Sequence, residues 1–408
     1  MPAPNRQGMA KRPSDPGGKV ITRTVWLLGL VSLFTDVASE MLYPVMPLYL
    51  ESIGFSVAGI GVLEGLASAT AGLSKGYFGQ WSDRTGRRLP FVQAGYGISA
   101  VAKPLMAVFT APWWVFVART AERLGKGVRT GGRDAMLSSA ATPATRARVF
   151  GFHRAMDTTG AALGPLLALG FLFLYPGEYR WLFLASAVPG LLAVAATFLL
   201  RDEPVPPQPG GRPGLLEFGR YLVRVASPDY RRLFAVLTAF ALINSSDLFL
   251  LLLLKEAGLA DTTVIGFYIF YNLVYAVLAY PLGGLADRVG TRRVDAGGLL
   301  VFAAVYFGLS HADSWWVFGA LFAAYGAYAA ATEGVAKAWI SALVPPNETG
   351  TAIGTASAAE SLATLVASSA AGLAWAFFGA EALFLATAMA ALLIAAWAWS
   401  LPAAREAG

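Results

Sequence analysis

The chain has 408 residues, of which 56% are hydrophobic and 14% charged, against about 25% charged in a soluble domain. Apolar runs of about 20 residues recur along it, so most of it lies in lipid, where each run has to be helical. That excludes the nucleic-acid partner a formal net charge of +6 would suggest in a soluble protein, and the lack of cysteine excludes disulfides, thiolate metal sites and cysteine nucleophiles.

Residues 1–22 are basic and polar and lack the apolar core of a cleavable signal, so they form a tail and the first helix serves as its own insertion signal. The apolar pattern then predicts twelve helices, at 24–50, 57–80, 89–110, 113–138, 148–175, 180–200, 231–254, 262–285, 294–311, 315–342, 350–377 and 380–401. Segment 201–230, rich in Pro, Gly and Arg, is expected to be a partly flexible cytoplasmic linker between two six-helix bundles, 23–200 and 231–402, with a short tail at 403–408. Lys and Arg gather at the N-terminus, after helices two and eight, between helices four and five and in the linker, while the alternate loops are nearly bare. The positive-inside rule therefore predicts a multi-pass inner-membrane protein with both termini cytoplasmic and with Trp113, Trp114, Trp315 and Trp316 at the outer interface.

Helix one places Asp36 and Glu40 on one face, followed by Tyr43 and by Pro44 and Pro47, which bend its outer end. Asp36 falls near the middle of the apolar stretch. An ionisable group at that depth is costly unless paired or hydrated, so it is a functional candidate, here for proton coupling. The alternative is a structural ion pair with a neighbouring helix, and a proton could break such a pair.

After helix two comes Gly79-Gln-Trp-Ser-Asp83-Arg84-Thr-Gly86-Arg87-Arg88, which returns as Gly283-Gly-Leu-Ala-Asp287-Arg288-Val-Gly290-Thr-Arg-Arg293. The two aspartates are 204 residues apart, half the chain. Internal repetition of this kind in a membrane protein marks a secondary transporter. Both loops resemble the G-x-x-x-D-R-x-G-R-R signature of the major facilitator superfamily. The resemblance implies a fold of about twelve spans in two pseudo-symmetric bundles. A carboxylate at a helix end can cap a neighbouring helix, and arginines can bridge to the other half or to anionic headgroups. Gly79, Asp83, Arg84, Gly86, Arg87, Arg88, Gly283, Asp287, Arg288 and Gly290 are thus the expected gating residues.

Helix four carries Arg119, Glu122, Arg123, Lys126, Arg129 and Arg133 in steps of three and four. Such a stripe cannot face lipid. Arg123-Leu-Gly-Lys126-Gly127 resembles the R-x-x-x-G of the superfamily's antiporters, which implies a role for Arg123 in proton transfer beside helix one. The stripe either binds an anionic substrate or neutralises Asp36, Glu40, Glu64, Asp134 and Asp157. In helix five, Gly160-Ala-Ala-Leu-Gly164-Pro165 resembles the G-x-x-x-G-P of the antiporter branches, which implies export; without it, small residues four apart still bring two helices close.

The second half is less charged. Its buried polar residues are Asn244, Asp247, Asn272, Glu333, Lys337 and Glu360, with Glu333 and Lys337 spaced to pair on one face, and helix eight adds Phe267, Tyr268, Phe270, Tyr271 and Tyr275 as a possible aromatic wall. Asp36, Glu40 and Arg123, with Glu64 and Glu122, are the expected proton-coupling group; Arg119, Lys126, Asp157, Asn244, Asp247, Asn272, Glu333 and Lys337 are the expected substrate-cavity residues. No residue set supports an enzyme, a cofactor or a metal site, and no phosphate loop points to ATP-driven transport. The expectation is an all-α integral membrane protein working by alternating access as a secondary active transporter. Its partners are a small-molecule substrate, protons and the lipid bilayer, with no nucleic acid, and a monomer suffices. Proton-coupled export of a drug-like compound or metabolite is preferred. The alternatives are an organic or phosphorylated anion on the helix-four stripe and a non-transporting membrane sensor.

Overall fold

The apolar runs fold into helices that break where local chemistry competes with the helical ladder. The computed structural model describes residues 19–401 apart from 204, 208–210 and 215–216, so most of the expected N-terminal tail and all of the C-terminal one lie outside the described residues. The first half contains α1 (Arg23–Glu40), a 3-10 turn (Tyr43–Val45), α2 (Met46–Ser52), α3 (Val57–Thr85), α4 (Leu89–Leu105), α5 (Pro112–Ser139), α6 (Arg146–Leu174), α7 (Tyr179–Ala185) and α8 (Ala187–Thr197). After α9 (Glu217–Arg224) come α10 (Pro228–Ala241), α11 (Leu248–Glu256), α12 (Asp261–Val289), α13 (Thr291–Leu309), α14 (Trp315–Ala342) and α15 (Thr349–Ser400), with no strand among the described residues. α15 is two helices joined at Gly379, whose φ of 82° lies in the left-handed region that favours glycine. Joining α1 to α2, α7 to α8 and α10 to α11, and dividing α15 at Gly379, gives twelve spans. Pro143–Leu174, Tyr179–Thr197, Thr263–Val289 and Thr349–Ser400 are each long and apolar enough to cross a membrane without help.

Two expectations change. The continuous helix expected at 231–254 is unwound over Leu242–Asp247. The run Asn244-Ser245-Ser246-Asp247 explains the break, because short polar side chains offer the backbone alternative partners. The Ser246 amide donates to Ser368 Oγ at 3.0 Å, and the Leu248 amide donates to Ser246 Oγ at 3.3 Å. Irregular backbone at membrane depth is tolerated where it borders a cavity. The linker, expected to be partly flexible, is docked where it is described. Phe218 and Tyr221, one turn apart on α9, are buried, and the Val205 amide donates to the Gly86 carbonyl at 3.2 Å. Arg84 pairs with Glu217 at 2.5 Å, and the Tyr221 hydroxyl donates to Glu348 at 3.0 Å, so α9 touches both halves.

The two bundles meet chiefly along α3 with α15 and α6 with α12. Both contacts are tight at the end bearing the two repeated loops, here the basic end. A Cβ on Gly72 would lie 2.9 Å from Ser361 Cβ, and one on Gly283 would lie 2.5 Å from the Ala147 carbonyl oxygen. Nearer the other end of the same helices, Gly65, Gly170 and Gly266 have nothing within 4 Å of a built Cβ. The helices therefore splay apart towards the end where Trp113, Trp315 and Trp316 are exposed, and the molecule is shut at the basic end and open at the tryptophan end.

Candidate functional site

The repeated loops explain their own sequence. Gly79 lets α15 approach α3 with no side chain between, and Asp83, one turn further on, accepts from the Thr351 amide at 2.6 Å and from Thr351 Oγ1 at 2.9 Å. Thr351 is in the first turn of α15, so a carboxylate of one half caps a helix of the other. Gly283 and Asp287 repeat the device on α6. The Ala147 and Arg148 amides donate to Asp287 at 2.8 and 3.1 Å, and Arg148 Nε donates at 3.0 Å. Gly86 and Gly290 have φ of 67° and 96° and let the chain turn directly after each helix. Arg88 is buried, 3.8 Å from Asp83, and donates to the Ala135 carbonyl, to Ser139 and across the halves to the Pro346 carbonyl. Arg84 holds the linker, while Arg87 and Arg288 are exposed at the loop surfaces.

Above the shut end lies a central cavity of about 620 Å³ between the halves. One wall carries Asp36 and Glu40 of α1, Lys126 of α5 and Asp157 of α6; the opposite wall carries Asp247, Tyr271 and Asn272. Asn244, Tyr275, Tyr325, Tyr328, Glu333 and Lys337 also line it. Asp36 and Asp157 stand near each other on this wall: a Cβ built on Gly160, one turn along α6 from Asp157, would lie 3.0 Å from Asp36 Cβ, and both carboxylates line the cavity. Asp157 also accepts from Ser32 Oγ and from Arg154 at 2.9 Å. Glu40 accepts a long bond (3.4 Å) from Tyr268 of the other half. Lys126 acts electrostatically on both Asp36 and Glu40 but has no hydrogen bond or ion pair within 4 Å among the described residues. Asp247 is held by the Tyr271 and Tyr325 hydroxyls, each at 2.6 Å, and Asn244 donates to the Tyr328 hydroxyl at 3.2 Å.

The glycines of α6 set the position of the acidic pair. A Cβ on Gly160 would lie 2.5 Å from the Leu33 carbonyl and 3.0 Å from Asp36 Cβ, and one on Gly164 would lie 2.7 Å from the Met41 amide. α6 therefore lies directly on α1 beside Asp36 and Glu40, with Pro165 inside the helix immediately beyond.

The helix-four stripe divides. Arg119 donates to both Glu64 oxygens (2.8 and 3.0 Å) and to Glu122 (3.2 Å), while Arg123 stands 3.7 Å from Glu64 and 3.6 Å from Glu122. Arg119 lines a side pocket of about 190 Å³ between α1, α4 and α5 instead of the central cavity in which the sequence grouped it. Glu122 borders the same side pocket, Glu64 neither space, and Arg123 both. Arg129 stacks on the Tyr96 ring, 4.4 Å from its centroid, and donates to Ser99. Glu333 and Lys337, spaced to pair with each other, both reach across to the other half: Lys337 meets Asp134 at 2.6 Å and Glu333 meets Arg154 at 3.1 Å.

Sequence reasoning passed over Lys75, Lys103 and Asp295 and gave Arg154 no role. Lys75 donates to Ser361 across the halves at 2.9 Å. Lys103 is 2% exposed, lines the side pocket and has no hydrogen-bond partner for Nζ among the described residues. Asp295 is buried against a smaller cavity of about 110 Å³, lined by the second half and by Arg154 of the first. Lys103 is a lone charge in an apolar stretch, a signal that was available, whereas Asp295 follows Arg292 and Arg293 and reads as part of a charged loop.

The description of the Major Facilitator Superfamily matches residues 28–272 and 248–407. The chain belongs to the major facilitator superfamily. It is similar to an uncharacterized MFS-type transporter of Methanocaldococcus jannaschii, 30% identical over 372 residues, which cover 89% of this chain and 91% of that protein. It is also similar to the multidrug resistance protein MdtG of Dickeya zeae, at 24% identity over 72% of this chain and 73% of that one. Among solved structures, the human organic anion transporter MFSD10 (TETRAN) superposes with a TM-score of 0.78 at 18% identity, covering 92% of this chain and 99% of its own. The molecule is thus a membrane transporter of the superfamily, which binds small-molecule substrates, and not an enzyme.

Proposed function

We propose that the chain is a secondary active transporter that exports a small organic molecule in exchange for protons, with the Asp36–Asp157 pair as its proton site. The observation that carries this is the placing of two carboxylates, Asp36 of α1 and Asp157 of α6, side by side at membrane depth on the wall of the central cavity. Two carboxylates held near each other titrate as a pair, so taking up one proton changes the charge that both present to the cavity. Export is supported by the Gly160–Gly164–Pro165 packing beside the pair and by relatives named for multidrug resistance. The clustering of Arg at the shut end supports placing that end in the cytoplasm of the inner membrane.

In this mechanism, a proton arriving from the open end neutralises Asp36, while Asp157 stays ionised beside Arg154, 2.9 Å away. A substrate with a cationic group loses its attraction to that wall and leaves. The return step carries the proton to the basic end, where its release restores the site. Arg123 and Lys126 act as the counter-charges that set how strongly the acidic wall holds either ligand. The Asp83 and Asp287 caps are the latch that keeps the basic end shut while the other is open. The test is proton flux in proteoliposomes under an imposed pH gradient, with pooled cationic compounds added, for the parent and for Asp36→Asn and Asp157→Asn. Compound-evoked flux lost in both variants supports the reading, and undiminished flux in well-expressed Asp36→Asn refutes it.

A second reading, transport of an organic or phosphorylated anion, is favoured by the two amines without direct partners, Lys126 on the cavity and Lys103 in the side pocket. The fold neighbour named as an organic anion transporter is compatible with it. Lys126→Glu separates the two: it abolishes transport of an anion and only modestly slows export of a cation.

A further inference from the structure

Beneath the cavity, one turn of α14 carries a carboxylate and an amine, and each reaches a group of opposite charge in the other half. Glu333 meets Arg154 at 3.1 Å and Lys337 meets Asp134 at 2.6 Å. These are the inter-half ion pairs between the cavity and the two helix caps, joined there by the Lys75–Ser361 hydrogen bond. Opening the basic end must part them; Lys337–Asp134 is largely buried and Glu333 faces the cavity, and a charge left alone is costly where water is scarce. Here none is left alone. Arg154 already holds Asp157 at 2.9 Å, and Asp134 already holds Arg133 at 2.8 Å, both within the first half. Glu333 and Lys337 are four residues apart on one helix, with Glu on the N-terminal side, the better order for such a pair.

From this we infer that Glu333 and Lys337 form a partner-exchange gate: joined to Arg154 and Asp134 when the basic end is shut, and to each other when it is open. Each half is self-neutral at this level, so the gate closes specifically yet parts without stranding a charge. The inference goes beyond the transport reading and does not depend on which substrate or ion is moved; failure of the Asp36→Asn flux test would leave it standing. It also assigns three charges that line the cavity, Arg154, Glu333 and Lys337, to movement of the halves instead of to substrate contact.

The chain has no cysteine, so a single Thr349→Cys reports on opening. Thr349 is 1% exposed at the start of α15, inside the shut end. Labelling by a membrane-impermeant maleimide would be compared in the parent and in Glu333→Gln, the double Gln variant at 333 and 337, and the reversal Glu333→Lys with Lys337→Glu. A reporter at Ser68→Cys, on the cavity wall, checks that each variant keeps its fold.

Exchange makes an unusual prediction for the single variant. Glu333→Gln removes one pair from the shut state and one from the open state, so labelling stays within about twofold of the parent. The double Gln variant removes two pairs from the shut state and one from the open state, and labelling rises about fivefold. The reversal keeps the open-state pair and sets like charges against each other in the shut state, so labelling rises on the order of tenfold or more. A single Gln that opens the protein as far as the double variant would overturn the exchange. A reversal that leaves labelling at the parent rate would overturn the gate itself, and the milder double variant decides the matter if the reversal fails to label at position 68.

Discussion

Replacing Asp83 by Ala is expected to shift the protein strongly towards opening at the basic end. Asp83 is 0% exposed and accepts two hydrogen bonds from Thr351, which is also 0% exposed, at 2.6 and 2.9 Å. Hydrogen bonds to a charged group contribute about 1.5–3 kcal/mol each. The two share one acceptor group and are not additive, so a combined loss of about 3 kcal/mol is reasonable, to which the helix dipole adds roughly 0.3–1 kcal/mol. At 1.4 kcal/mol per tenfold, the total of about 3.3–4 kcal/mol weakens the shut state by roughly 200- to 700-fold relative to the open one. Asp287→Ala removes the matching cap on α6, but its partner Arg148 is 31% exposed, and water replaces part of the loss, leaving about 2 kcal/mol or roughly 30-fold. Asp83→Asn keeps an acceptor oxygen and loses the charge, about 1 kcal/mol or fivefold. The assay is maleimide labelling of Thr349→Cys in each background. The order Asp83→Ala, Asp287→Ala, Asp83→Asn, parent is the result expected. Labelling in Asp83→Ala no faster than in the parent would refute the view that this cap holds the halves together.

Other consequences follow from close approach and turn geometry. Gly160→Ala puts a Cβ 2.5 Å from the Leu33 carbonyl and 3.0 Å from Asp36 Cβ, so α1 must move by an amount that costs about 1–3 kcal/mol; a lowered melting temperature together with weakened proton flux is expected, and a stable variant with parental flux would show that the packing does not position the acidic pair. Gly86→Ala forces φ of 67° on a residue with a Cβ that also meets the Val205 carbonyl. A loss of about 1–3 kcal/mol, with faster proteolysis of the linker at 201–230, is the expected outcome. The hydrogen bond from Arg84 holds the Glu217 carboxyl below its ordinary value. Docking of α9 through that pair is therefore complete above the usual Glu range and fades as the pH falls through the depressed value; hydrogen exchange of residues 217–224 followed down the acid range would show it.

What could be read from the sequence was whatever depends on local spacing. The distance from Gly79 to Asp83 is one helical turn, and the return of that spacing at Gly283 and Asp287 already implied a close helix contact followed by a cap. The period of the charges on α5 was equally legible, since a stripe in steps of three and four has to lie on one face. The broken helix at 242–247 was legible in principle, in four consecutive short polar residues, but a long apolar context on both sides hid it. The linker misled for a similar reason: its Pro, Gly and Arg content is that of a spacer, whereas its docking depends on two aromatic residues, Phe218 and Tyr221, three apart.

Partners across the fold were not legible, because a charge in one helix does not name its complement in another. Asp36 and Glu40 share a face of α1, yet the cavity wall also brings Asp157 of α6 beside Asp36. Glu333 and Lys337 were spaced to pair with each other, yet both cross to the first half. The spacing was not uninformative. An i,i+4 pair is a local property of the helix and persists in every conformation that keeps it, whereas the inter-half pairs exist only while the basic end is shut. A static structure therefore records the conformation-dependent partner, and the sequence records the one always within reach. On this argument, the disagreement at 333 and 337 identifies residues that change partner, and the near-neutral single Gln variant beside a strongly opened reversal is the pattern such residues must give.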